Sequence, residues 1–144
     1  MAEQDTVNLL QECDAGIKMG ISAIDDVLEY VSDSTLKKYL TDSRSGHEEM
    51  QTKIQALLDG FCEEGKEPNL MAKGMSWMKT SVKLVINESD HTIADLITDG
   101  CNMGVKSLNR YLNQYQAADQ KSKDIALKLI RLEEQLAADL RRFL

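Results

Sequence analysis

A ten-residue segment occurs twice in this chain, and no other feature limits its fold as much. Gly16-Ile17-Lys18-Met19-Gly20-Ile21-Ser22-Ala23-Ile24-Asp25 returns 84 positions later as Gly100-Cys101-Asn102-Met103-Gly104-Val105-Lys106-Ser107-Leu108-Asn109, and the match continues to Leu28 and Leu112. Such an internal duplication predicts two like halves packed about a dyad. Inside a helix each glycine costs about 1 kcal/mol relative to alanine. Gly16, Gly20, Gly100 and Gly104 therefore forfeit about 4 kcal/mol of a total stability of about 5–15 kcal/mol. At the helical angle of about 100° per residue they share one flank of the apolar stripe with Ala23 and Ser107, and Met19 and Met103 lie at its outer edge. Such a ridge lets another backbone approach closely. Packing of the first helix on the third is the first expectation; a partner protomer on the same flank is the second, and room for a ligand the third.

The apolar spacing predicts four helices and no strand. The first runs from about Thr6 to Val31, with Leu10, Ile17, Ile24 and Val31 at intervals of seven and Cys13, Ile21, Val27 and Leu28 beside them. Ser32-Asp33-Ser34-Thr35 forms the stop, and Asp33 or Ser34 is the expected cap of a second helix reaching about Glu63. That helix carries the stripe Leu36, Leu40, Ser43, His47, Met50, Ile54, Leu57 and Phe61, of which Ser43 and His47 are polar. The third helix, about Asp90 to Tyr115, turns Ala94, Ile97, Cys101, Val105, Leu108, Leu112 and Tyr115 inward. The fourth, about Asp119 to Leu144, does the same with Ile125, Leu129, Leu132, Leu136, Leu140 and Phe143. Between the second and third lies a connection over about 64–88, broken at Pro68. It contains a short predicted helix, about Leu70 to Val85, with Met71, Met75, Met78 and Val82 on one side. A helix of about 26 residues is about 39 Å long. The connection can cover that distance and let the second and third helices run parallel.

Two hairpins, about 6–63 and about 89–144, joined by a long crossover resemble the ferritin-like four-helix bundles. The resemblance, to small bacterial members, covers nearly the whole chain as one domain and is carried chiefly by the duplicated Gly-x-x-Met-Gly. It implies an all-α bundle. In metal-binding members of that superfamily, glutamates of the first and third helices join Glu-x-x-His motifs on the second and fourth. Here the residue three before His47 is Arg44, Glu133 is followed three later by Leu136, and the repeat partner of Asp14 is Thr98. Asp14, His47 and Glu133 are the candidate donors of any residual iron or manganese site. Glu88-Ser89-Asp90-His91 is the one literal Glu-x-x-His, and its place at a helix start suits capping. The resemblance thus supports the fold and argues against ferroxidase activity.

Net charge is −7, and the surplus is confined to residues 1–33, where eight acids face only Lys18. Nucleic acid, which needs a clustered basic surface, is disfavoured as a partner, and a basic protein on the acidic first helix is favoured. Asp25, Asp26, Glu29 and Asp33 crowd the C-terminal end of that helix, where the dipole disfavours them; Lys37 and Lys38 are the expected relief. The acidic start lacks the n- and h-regions of a signal peptide, and no apolar run approaches about 20 residues, so a cytoplasmic location without membrane attachment is expected. Cys13, Cys62 and Cys101 are odd in number and lack a CxxC spacing, which suggests reduced thiols. Phosphate loops, serine elbows and Cys-His pairs are absent from the sequence. The expected role is non-enzymatic and cofactor-free: homodimerisation or binding of a protein partner, with carboxylate-histidine metal binding as the alternative.

Overall fold

The computed structural model describes residues 2–67 and 89–144, which form four long helices and no strand. Helix α1 spans Ala2–Leu28, α2 Ser34–Gly60, α3 Asp90–Gln114 and α4 Gln120–Leu140, and a 3-10 turn, Arg141–Phe143, closes the chain. The short helix expected over about 70–85 lies outside the described residues.

Helix α1 starts a turn earlier than the apolar stripe suggested. Glu3 and Asp5 in its first turn complement the dipole. Its N-terminal end also fastens the far loop, since Asp5 Oδ2 accepts the Ala117 amide at 3.0 Å and Thr6 Oγ1 accepts that of Asp119 at 2.8 Å. Asp119 in turn caps α4 by accepting the Ser122 amide. At the other end α1 stops at Leu28, not Val31. Asp33 caps α2, accepting the amides of Thr35 and Leu36 at 2.8 and 3.0 Å. The crowded acids are relieved differently from expectation. Lys38 bonds Asp42 on its own helix, and it is Arg44 that reaches across to Asp25, at 2.6 Å, as well as to Glu48, at 2.7 Å.

The ends fix the topology. Lys66 donates its amide to Asp14 Oδ2 at 3.0 Å, so the chain leaving α2 lies against the first half of α1. Asp90 accepts the amides of both Ser32 and Asp33 at 2.8 Å, so α3 begins beside the α1–α2 turn. Helices α2 and α3 therefore start at the same end of the bundle and run parallel. Packing follows: α1 lies on α2, α3 on α4, α2 on α4 and α1 on α3, each pair antiparallel.

The interior is divided. One apolar cluster holds Leu9, Leu10, Cys13 and Ile17 of α1, Met50, Ile54 and Leu58 of α2, Leu108 of α3, and Ile125, Ala126, Leu129 and Ile130 of α4. The other holds Ala23, Ile24 and Val27, then Leu36 and Leu40, Ile93 to Cys101 of α3, and Leu136 and Leu140. Every helix contributes to both. The break falls near Gly20, Ser43 and His47, Gly104 and Glu133, one short stretch on each helix. The bundle has a polar waist.

Candidate functional site

At the waist His47 projects from α2 and Glu133 from α4, and His47 Nε2 bonds Glu133 Oε1 directly. His47 is buried, at 1% exposure. Its other nitrogen, Nδ1, lies 2.7 Å from the Ser43 carbonyl oxygen, one helical turn back. The Ser43 hydroxyl is farther, at 3.4 Å. Both ring nitrogens thus face acceptors, one a carbonyl and one a carboxylate. Only the doubly protonated imidazolium can donate to both at once. Burial works against that charge, but the hydrogen bond and charge of Glu133, with the Ser43 carbonyl, outweigh it and hold His47 above its ordinary value of 6.5.

The repeated glycines frame this pair. A Cβ on Gly20 of α1 would stand 3.1 Å from His47 Nε2 and 3.2 Å from Cδ2, so the ring lies flush against a bare backbone. A Cβ on Gly104 of α3, the equivalent position in the second copy, would meet Glu133 Oε2 at 3.5 Å, an ordinary contact. The two copies of one glycine therefore each face one member of the pair. Gly16 differs, since among the described residues nothing lies within 4 Å of a Cβ there. Gly16→Ala should accordingly raise the stability of the single chain by about 1 kcal/mol through helix propensity, while Gly20→Ala should gain nothing because the ring must move. Urea midpoints of the two variants check this; equal gains would remove the ring contact from the account.

Above the pair, α1 and α3 stand apart far enough to leave a groove of about 520 Å³. Its walls carry the duplicated small residues Gly16, Gly20, Ala23, Gly100, Gly104 and Ser107. Met19 and Met103 also border it, and His47, Cys101 and Glu133 contribute its polar floor. Met103 is exposed, at 45%. Burial, then the charge and hydrogen bond of Glu133, push the Cys101 thiol far above the ordinary thiol range. Cys13 is pushed up to about 12 by burial and then by the charges of Glu12 and Asp14. Neither thiol is a nucleophile at neutral pH.

Of the candidate donors, the structure brings His47 and Glu133 together and leaves Asp14 out. Asp14 is buried at the lower cluster, where Oδ2 accepts the Lys66 amide and pairs with Lys18 Nζ at 2.8 Å. Gly65 makes this possible, for a Cβ there would overlap Asp14 Oδ2. The other carboxylate oxygen of Asp14 and the hydroxyl of its repeat partner Thr98 are buried without a hydrogen-bond partner among the described residues. His91 is exposed, with Nδ1 3.3 Å from the Phe143 carbonyl oxygen, and Glu88 lies outside the described residues. Among the described residues no three of His, Cys, Asp and Glu are grouped to hold a metal ion, and no described helix is long and apolar enough to cross a membrane.

Fold and site together define an all-α four-helix bundle with a buried histidine–carboxylate pair at mid-height and a small-residue groove over it. No protein-family model, curated protein or solved structure matches the chain.

Proposed function

We propose that this chain is a non-enzymatic bundle of the ferritin-like kind that associates with a second copy of itself through the groove between α1 and α3. The parallel α2 and α3 and the duplicated halves support the ferritin-like reading. The observation that carries self-association is the groove itself: its two walls are copies of one segment on antiparallel helices, so like surfaces face each other across it. A twofold contact between identical chains needs one surface that carries both knob and hole. Here exposed Met103 supplies the knob, and the open space over Gly16 supplies the hole. Methionine suits the task because its unbranched thioether fills irregular gaps.

Light scattering coupled to size exclusion tests this, with twice the chain mass as the expected result. Met103→Glu would bury an unpaired carboxylate in the contact and should weaken it by about 100-fold, some 2.7 kcal/mol. Leu127→Glu, at an exposed position on α4 outside the groove, should leave the mass unchanged. A chain that stays monomeric at about millimolar concentration, or a dimer indifferent to Met103→Glu, overturns the reading.

A further inference from the structure

The knob of the proposed contact is a thioether, and it is the most exposed of the methionines described. Met50 is buried and Met19 half-buried, whereas Met103, the counterpart of Met19 in the second copy of the duplicated segment, stands open at the rim of the groove. The two thiols inside the bundle do not compete with it for an oxidant, because burial above all keeps Cys13 and Cys101 protonated and a peroxide attacks cysteine as the thiolate. A thioether has no proton to lose first. Cys62 is the one exposed thiol, and it lies just past the end of α2, outside the groove. What an added oxygen would do to Met103 follows from the hole it must enter. The wall around that hole is Ala15, Gly16 and Gly20, none of which carries a side-chain donor. Their amides lie inside α1, where each is bound to a carbonyl one turn back. Methionine sulfoxide is polar, and its oxygen is satisfied by water in the separated chain and by nothing on this wall in the contact. The twofold doubles the effect, since each dimer holds two copies of Met103.

We propose that Met103 is an oxidation site that controls association: oxygen transfer from a peroxide to its sulfur dissolves the contact, and reduction of the sulfoxide restores it. This rests on the self-association through the groove. The step moves two electrons. A sulfur lone pair attacks one oxygen of hydrogen peroxide, the S–O bond forms as the O–O bond breaks, and the proton on the transferred oxygen passes to the departing hydroxide, which leaves as water. Sulfur is oxidised and the peroxide reduced. In the return step two thiols reduce the sulfoxide on a methionine sulfoxide reductase, becoming a disulfide and releasing the oxygen as water. Protection runs the other way, because a contact that covers the sulfur slows its oxidation. Peroxide therefore acts through the separated chain.

Hydrogen peroxide treatment of the full chain in a Cys62→Ser background, which removes the exposed thiol, tests this with peptide mass spectrometry for the added oxygen and light scattering for the mass. Met103 should gain its oxygen before Met19 and Met50. The dissociation constant of the dimer should then rise at least about 30-fold, as two buried acceptors without donors require. The two reductases specific for the two sulfoxide epimers, supplied with dithiothreitol, should restore both the thioether and the dimer. In Met103→Leu, whatever its own dissociation constant, peroxide should leave that constant where it started; a response there places the sensitive sulfur elsewhere and overturns the proposal. A dimer that carries Met103 sulfoxide yet keeps its dissociation constant overturns it too, as does a Met103 oxidation rate that is the same well below and well above that constant. Should Met103→Leu prove monomeric, the loss of dimer in time decides, and it must track the sulfoxide at Met103 and at no other site. The two readings fail separately. A chain that is monomeric at about millimolar concentration before any peroxide removes the association and this control together, while a dimer indifferent to the sulfoxide leaves the association standing and removes only the control.

Discussion

Glu133→Ala should destabilise the bundle by about 3–5 kcal/mol at about pH 5.5, because it leaves the buried imidazolium without its carboxylate. The pH dependence carries a definite sign. His47 is raised in the folded protein, so its contribution is fully present below the unfolded value of 6.5 and is lost as pH rises through the higher folded value. Without Glu133 only burial and the Ser43 carbonyl remain, burial dominates, and the ring binds its proton less readily folded than unfolded. The deficit of Glu133→Ala is therefore greatest at about pH 5.5 and shrinks at a second, alkaline pH above the folded value of His47, where the ring is neutral in both proteins. Replacing both partners by apolar residues of similar volume, His47→Met with Glu133→Leu, should restore most of the stability, since a buried pair exchanged for hydrocarbon is commonly neutral or stabilising by about 1–4 kcal/mol. Urea unfolding at the two pH values measures all of this. A deficit that grows with pH would show that the ring is neutral in the native state.

The same pair shows where the sequence was legible and where it was not. His47 stood out because an apolar stripe stepping by four and three ran straight through it. Its partner was singled out only through the ferritin-like resemblance and not as an inward-facing residue, because helix spacing admits steps of either three or four and hydropathy chose between them. From Leu129 the apolar choice is Leu132, yet it is Glu133 that fills the gap between the two buried clusters, and Leu132 is only partly buried against the first of them. Leu57 and Leu58 repeat the lesson. A step of four from Ile54 reaches Leu58, which is wholly buried, whereas Leu57 is only partly so. Charge cannot be recognised as interior until its counter-charge is placed, and Glu133 lies 86 residues from His47 in the chain. The duplication did reveal that four helical glycines had to be compensated. It could not reveal that Gly20 borders an imidazole ring, since that neighbour comes from another helix. Asp14 was misleading for a related reason. Its position suited a donor beside His47, but its carboxylate is committed to Lys18 and to the amide of Lys66, a residue whose place against α1 depends on how the chain leaves α2.

A waist of this kind should also appear in how core damage adds up. Ile54 and Leu40 are both wholly buried on α2, one in each apolar cluster, and 14 residues of helix separate them by about 21 Å. Ile54→Ala and Leu40→Ala should each cost about 2–5 kcal/mol, from lost transfer energy and from the cavity left behind. With the polar layer between them they share no buried neighbour, so the double variant should equal the sum to within about 0.5 kcal/mol. Additivity does not mean independence. Each helix crosses the waist, and half a helix, about 13 residues, is marginal in water by itself, so neither half can melt and leave the other standing. Hydrogen exchange distinguishes the two properties. The amides of Ile17, below the waist, and Ile24, above it, should open with the same free energy in the parent protein and should fall together in Ile54→Ala, although only the lower cluster has been cut. A fall at Ile17 alone would make the waist a boundary between two folding units, and the His47–Glu133 bond would then join them without making them cooperative.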